Sequence, residues 1–373
     1  MNSVAIIFSG WNHRAIIAFC RFCRKKKVPF IIVAKDNNDP ILLTDYRQDV
    51  GMVRTDSELS LCLLKSVHDM AIEKKFDHLI LMPTTEYLNR FFLENRADIE
   101  GMGYIIPLCD SNLYNTISDK EEFEKMCRSN SIMTPGEYSE ISRKNLPFVI
   151  KPRNYFFGGG VNVAEKPKLI MSEDDYDNLS SIDLDIYYCQ EFIGGEAFYL
   201  LYYFAKDGTY SVYSQKNLSQ QHSGLSIVAA ESANYHKDSR AEAYTQMFLK
   251  CGFQGLVMVE VRDYKGEFYM IEANPRFWGP SQLILDSEMD LFEKFAYDCG
   301  LIDVVGDNHY HVGKKYFWLG GYYETTAKNK KCVFLSGYNA SLLVENFSKW
   351  LDADIYKRND TISVFEREIG YNE

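Results

Sequence analysis

The chain has 373 residues, of which 46% are hydrophobic and 25% charged, and its net charge is −11. This length allows about two to three structural units with buried cores, and the composition excludes a disordered or collagen-like chain. The acidic balance leaves no overall basic surface for nucleic acid, and no apolar run approaches the roughly 20 residues that span a bilayer. The cysteines are scattered and the N-terminus lacks a long apolar leader, so we expect a cytoplasmic protein.

The first hundred residues alternate between strand-like and helix-like segments. Residues 4–8, 30–34 and 78–82 are short apolar runs of the kind found in buried strands, and helical spacing recurs between them. This order predicts a parallel sheet covered by helices, a Rossmann-like domain over residues 1–115. The turn after the first strand lacks the three-glycine fingerprint of a dinucleotide site.

Polar residues follow the strands of this predicted sheet. Ser9, His13 and the segment 83–86 lie where ligands bind in such folds, beyond the carboxyl ends of the strands. They are candidates for substrate contact, and solvated loop residues are an equal alternative.

A helix is predicted from a capping box at Ser118-Asp119-Lys120-Glu121 to about Ser129. Lys120 stands in its first turn, where the helix dipole disfavours a cation, so an anion is expected nearby. The alternative is a pair with Glu124 four residues on.

A second lysine precedes a glycine-rich loop. Residues 148–152 form a predicted strand containing Lys151, and Gly158, Gly159 and Gly160 follow it. Glycines let backbone N–H groups approach a phosphate chain, with the lysine as a cation. A flexible hairpin tip beside a surface lysine explains the pattern equally well.

The run from Gln190 to Glu196 breaks a predicted strand at two glycines. The backbone groups exposed at this break could pair with an adenine edge, and Glu196 could accept hydrogen bonds from ribose hydroxyls. Taken alone, the run is better explained as a strand end with a solvated carboxylate.

Two acids lie on a predicted hairpin that is otherwise apolar. If its loop or a bulge sets the parity, Glu260 and Glu272 share a face on diagonal positions, with Cβ atoms roughly 7 Å apart. With Asn274 they would offer hard oxygen ligands to Mg²⁺, and Arg276 could stabilise developing negative charge. The alternative is a solvated polar face.

In this order the motifs resemble those of the ATP-grasp superfamily. The resemblance implies a two-lobed α/β and α+β ATP-grasp fold over residues 116–305 with a mobile lid at about 146–192, after the Rossmann-like domain. Residues 306–373 are an extension without an assigned role. The implied roles are nucleotide binding by Lys120, Lys151, Gly158, Gly159, Gly160, Gln190, Glu191, Ile193 and Glu196, metal binding by Glu260, Glu272 and Asn274, and catalysis by Arg276 and Lys151.

The resemblance also implies an activity. Members activate a carboxylate with ATP as an acyl phosphate, which an amine displaces, so we expect an ATP-dependent carboxylate–amine ligase that releases ADP and phosphate. The expected cofactors are ATP and Mg²⁺ (about two ions, with Mn²⁺ as an alternative). The expected partners are small-molecule carboxylates and amines, and a homodimer is common in the family. A kinase, a bicarbonate-activating enzyme and a non-catalytic nucleotide-binding regulator stay open as alternatives.

Overall fold

A computed structural model describes residues 2–55, 58–153, 167–179, 182–183 and 185–370 of the chain. Its first domain is a five-stranded parallel sheet in the order β3-β2-β1-β4-β5. The strands are β1 (Ser3–Phe8), β2 (Phe30–Ala34), β3 (Val50–Val53), β4 (His78–Leu81) and β5 (Tyr104–Ile105). The helices are α1 (His13–Lys26), α2 (Leu61–Glu73), α3 (Glu86–Glu94), α4 (Arg96–Gly101) and α5 (Ser111–Ser118).

The apolar strand sequences are explained by burial on both faces. Along β1, Val4 and Ile6 belong to one hydrophobic core, while Ala5 and Ile7 belong to another. All four side chains are fully buried. The predicted Rossmann-like sheet is therefore confirmed.

A smaller four-stranded sheet follows, in the order β6-β9-β7-β8. Its strands are β6 (Glu137–Tyr138), β7 (Phe148–Pro152), β8 (Lys168–Ile170) and β9 (Tyr187–Glu191), and the neighbouring helices are α6 (Lys120–Ser129) and α7 (Glu173–Asp177). The predicted cap of α6 is wrong by one residue. Ser118 ends α5, and the Asp119 carboxylate accepts from the backbone N–H of Glu122 at 3.0 Å.

A seven-stranded antiparallel sheet forms the centre of the molecule, in the order β14-β13-β10-β11-β12-β15 with β16 beside β11. Its strands are β10 (Glu196–Phe204), β11 (Tyr210–Gln220), β12 (Ile227–Ala233), β13 (Gly255–Tyr264), β14 (Glu267–Asn274), β15 (Lys315–Phe317) and β16 (Val333–Phe334). Helices α8 (Glu242–Lys250), α9 (Gln282–Asp286) and α10 (Leu291–Asp298) accompany it. Alternate residues of β10 enter two cores on opposite faces, Leu200 in one and Leu201 in the other.

The C-terminal residues are part of the same body. Strands β15 and β16 extend the large sheet, and α11 (Leu319–Ala327), α12 (Ala340–Glu345), α13 (Phe347–Asp352) and α14 (Ile362–Glu368) complete the chain. Arg21 of α1 donates two hydrogen bonds to Asp360, of 2.8 and 2.9 Å. The extension thus packs against both the first domain and the central sheet. No helix in the described residues has the length and apolarity needed to cross a membrane.

Candidate active site

Two lysines from different elements approach the end of β14. Lys120 opens α6, and its Nζ lies 3.6 Å from Glu272 Oε2. Lys151 of β7 is 5% exposed, and its Nζ donates to the carbonyl of Ile271 at 3.3 Å and lies 3.7 Å from Glu124 Oε1. The anion predicted beside Lys120 is therefore present. It is Glu272 from the far hairpin, not Glu124 of the same helix.

The carboxylates of Glu260 and Glu272 lie directly opposite each other on β13 and β14, with a bulge between Glu260 and Val261. Directly paired residues point to the same face, so the predicted shared face is confirmed and the diagonal register is wrong. We call these two residues the carboxylate pair. Burial raises the pKa of Glu260 to about 6, although Arg262, 3.6 Å away, opposes the shift.

Glu272 behaves differently from its partner. Burial alone would raise the pKa of its carboxyl group, but Lys120 and a hydrogen bond from Asn274 outweigh burial, and the pKa is lowered. Asn274 Nδ2 donates to Glu272 Oε1 at 3.0 Å, and Arg276 Nη2 donates to Asn274 Oδ1 at 2.7 Å. This chain of hydrogen bonds holds the guanidinium beside the carboxylate pair.

These residues fit a magnesium site. Among the described residues, no group of three or more His, Cys, Asp or Glu side chains is arranged to hold a metal. The protein would instead offer two carboxylates and the amide of Asn274, whose oxygen bonds Arg276 here. Mg²⁺ commonly takes only one or two carboxylates and keeps waters and phosphate oxygens as further ligands.

The predicted hinge lies between β9 and β10. Glu191 ends β9, and Ile193 is 4% exposed in the connection. Gly195 has φ +80°, and a Cβ there would lie 2.0 Å from the carbonyl oxygen of Asp263, so only glycine fits. The Gln190 side chain is fully buried and donates to Glu124 at 2.6 Å.

Glu196 begins β10 and holds two partners that sequence reasoning missed. Lys216 Nζ donates to its Oε1 and the Tyr235 hydroxyl donates to its Oε2, each at 2.6 Å. Burial opposes ionisation, but these two bonds lower the pKa of Glu196 overall. An ionised carboxylate therefore stands at the hinge. Lys216 lies on β11 opposite Phe198 of β10, two residues from Glu196, and the sequence alone does not fix this strand pairing.

Gly158, Gly159 and Gly160 lie outside the described residues, so the lid stays a prediction.

The first domain borders the segment after Arg276. The backbone N–H of Phe277 donates to the carbonyl of Pro83 at 2.9 Å, and Asn12 Nδ2 donates to the carbonyls of Thr84 and Phe277 at 2.9 Å each. Partial burial of Glu86 raises the pKa of its carboxyl group, against the effect of Arg90. The segment 83–86 thus adjoins the candidate site.

Ser9 and His13 belong to a neighbouring loop network. Ser9 is 2% exposed, and its hydroxyl donates to Asp39 Oδ1 at 2.9 Å. His13 Nε2 lies 3.6 Å from the same oxygen. The alternative of a solvated Ser9 is therefore wrong, and substrate contact by either residue stays a prediction.

No family model and no curated protein sequence matches this chain. Solved structures do match. The N5-carboxyaminoimidazole synthetase of Staphylococcus aureus is 12% identical, with a TM-score of 0.61 over 94% of this chain and 97% of that one. The biotin carboxylase domain of the Hydrogenobacter thermophilus 2-oxoglutarate carboxylase, solved as a dimer with MgADP and bicarbonate, is 12% identical, with a TM-score of 0.57 over 80% and 69%. The L-amino acid ligase of Bacillus licheniformis is 15% identical, with a TM-score of 0.56 over 81% and 74%.

All three neighbours are ATP-grasp proteins, and the likeness includes the domain before the ATP-grasp lobes. The chain therefore has the fold of the ATP-grasp superfamily.

Proposed function

We propose that the chain is an ATP-dependent carboxylate–amine ligase that works through an acyl-phosphate intermediate and releases ADP and phosphate. The observation that carries the proposal is the convergence of Lys120, Lys151, the carboxylate pair and Arg276 on one end of β14. The named activities of the structural neighbours support the same general kind of reaction.

Each residue then has a physical task. Lys120 and Lys151 would neutralise nucleotide phosphates, and the carboxylate pair with Asn274 would hold Mg²⁺, which adds positive charge against those phosphates. We expect about two such ions, with phosphate oxygens and waters as their remaining ligands. Arg276, fixed by Asn274, would stabilise negative charge on the activated acyl group.

The adenosine would lie at the hinge. Backbone groups of Glu191 and Ile193 would contact adenine, and the ionised Glu196 would accept from the ribose hydroxyls. The carboxylate and amine substrates would then enter beside the segment 83–86 of the first domain, which borders Phe277.

The test is phosphate release with Mg-ATP across pooled amino acids, dipeptides, small carboxylic acids and bicarbonate. A ligase releases phosphate and forms ADP only when an acid and an amine are both present. ADP formation without free phosphate would indicate a kinase instead, and release that needs bicarbonate would indicate a bicarbonate-activating enzyme. Tight Mg-ATP binding without turnover in any pool would favour a regulator.

We further propose a cytoplasmic homodimer. All nine cysteines are free thiols, which suits a reducing compartment. One neighbour, the Hydrogenobacter biotin carboxylase domain, was solved as a dimer. Light scattering of the purified protein would test the dimer.

A further inference from the structure

Glu124 is a charged side chain in an unusual position. It lies one turn after Lys120 on α6, and it is 3% exposed between buried neighbours Phe123 and Cys127. An ionised carboxylate is almost never buried to this degree without partners, because its desolvation costs several kcal/mol. Its partners therefore indicate what it is for.

Both oxygens of Glu124 are engaged. Oε1 accepts from the Tyr188 hydroxyl at 3.3 Å and lies 3.7 Å from Lys151 Nζ. Oε2 accepts from Gln190 Nε2 at 2.6 Å and from Arg128 Nη2 at 3.2 Å. We call these five residues the Glu124 cluster.

The cluster connects the elements that carry the predicted nucleotide contacts. Helix α6 begins with Lys120, strand β7 carries Lys151, and strand β9 leads from Gln190 into the hinge. The carboxylate of Glu124 thus links helix α6 and strand β7, which carry the two lysines, to strand β9, which leads into the predicted adenine hinge.

The charge of Lys151 depends on its surroundings. Burial lowers the pKa of its ammonium group, and Lys120 lowers it further, while Glu124 gives the strongest opposing effect. The ionisable groups that face Lys151 are Lys120 and Glu124 of α6, its strand partner Tyr188 of β9, Glu260 of β13 and Glu272 of β14. Of these residues, Glu260 and Glu272 are the proposed metal ligands. A bound cation would neutralise their charge, which leaves Glu124 as the carboxylate that acts on Lys151.

We infer that Glu124 is a positioning residue that fixes Lys151 at the phosphate-binding point and keeps its ammonium group charged. The inference rests on the proposed function, since it takes Lys151 as a phosphate contact. No role for Glu124 beyond a helical pair with Lys120 follows from its sequence position.

The test is the pH dependence of Mg-ADP binding, measured by calorimetry between pH 7 and 9.5. The quantity compared is the pH at which Kd begins to rise. In Glu124→Gln, Lys151 loses the largest effect that opposes the lowering of its pKa, so Kd should begin to rise at a lower pH than in the wild type, by about tenfold per unit above that point. Glu122→Gln, an exposed change on the same helix, should follow the wild type.

Two further variants separate charge from structure. Glu124→Asp keeps the anion, so its Kd should begin to rise at the same pH as in the wild type, even if the affinity is weaker. Adding Lys151→Arg to Glu124→Gln should remove the pH dependence, because arginine stays protonated throughout the range.

Profiles for Glu124→Gln and wild type that run parallel would overturn the inference and leave the proposed function intact. A wild-type protein that binds no Mg-ADP would overturn both. If Glu124→Gln does not fold, Glu124→Asp decides alone: a Kd that begins to rise at a lower pH than in the wild type, in a variant that keeps the charge, contradicts the inference.

Discussion

Two groups of carboxylates neighbour Lys151, and they differ in how their charge is balanced. In the Glu124 cluster, a single carboxylate has one lysine, one arginine and two neutral donors. In the carboxylate pair, two acids face each other, and their ion-pair contacts with Lys120 and Arg262 are 3.6 Å long.

The difference has a physical consequence. Like charges this close cannot both ionise freely, and repulsion by Glu272 adds to burial in raising the pKa of Glu260 to about 6. Both oxygens of Glu124 have hydrogen-bond partners without a ligand, so this residue is suited to supporting the site. In the carboxylate pair a divalent cation would relieve the repulsion, which is what the proposed metal site requires.

The largest effect should come from Arg276→Ala, which removes charge stabilisation beside the carboxylate pair. We expect kcat to fall by about 10²–10³-fold, as when a donor to a developing anion is removed. Mg-ADP affinity should change much less than kcat, because the negative charge that Arg276 is proposed to stabilise develops only during turnover. Steady-state kinetics and calorimetry on the same preparation separate the two. A large loss of ADP affinity with unchanged kcat would contradict the assignment.

The next prediction concerns the stability of the ligand-free protein and tests the repulsion within the carboxylate pair. The pKa of Glu260 is raised in the folded state from its usual 4.5, so its ionised form destabilises the ligand-free protein above about pH 6. Glu260→Gln should raise the free energy of unfolding at pH 8 by about 1–2 kcal/mol, with the gain disappearing below about pH 4.5. Thermal unfolding without divalent cations at pH 8 and pH 4.5 checks this.

Glu260→Gln should also bind Mg²⁺ poorly, so Mg-ADP should stabilise the wild type more than the variant. For the wild type, Mg²⁺ affinity should decrease as pH falls through about 6, because Glu260 gains a proton.

Equal unfolding free energies of Glu260→Gln and the wild type at pH 8 would contradict the repulsion within the carboxylate pair.

The third prediction concerns nucleotide affinity at the hinge, away from both carboxylate groups. Glu196→Ala removes the predicted ribose contact, a charged hydrogen-bond acceptor, which corresponds to about 1.5–3 kcal/mol and at least a tenfold higher KM for ATP. Tyr235→Phe keeps the carboxylate and its bond from Lys216, so it should change KM only a few-fold. Initial rates at varied ATP test both. Equal effects of the two variants would argue against ribose contact.

The sequence predicts the first domain well, because strands buried on both faces are continuous apolar runs. It predicts the shared face of Glu260 and Glu272 only conditionally, since one bulge residue changes the parity of a hairpin. The direct register, and hence the strength of the repulsion, depends on where that bulge falls.

Other features depend on contacts distant in sequence. The sequence indicates only a local pair between Glu124 and Lys120. Its partners Lys151 and Gln190 lie 27 and 66 residues further along the chain. A charge at a buried helix position, between Phe123 and Cys127, was the available signal. The cap of α6 was missed because both Ser118 and Asp119 suit the position, and the extent of α5 decides between them.

The most direct test of the account is the Mg²⁺ dependence of ATP binding by Glu272→Gln. The wild type and the matched control Glu267→Gln, an exposed change on the same strand, should bind ATP more tightly with Mg²⁺ than without it. In Glu272→Gln this gain should be lost. The affinity for Mg²⁺ should fall by more than the roughly 10–100-fold that is typical when an outer-shell partner of a metal is changed. A Glu272→Gln variant with an unchanged Mg²⁺ effect would contradict the metal site and the proposed function built on it.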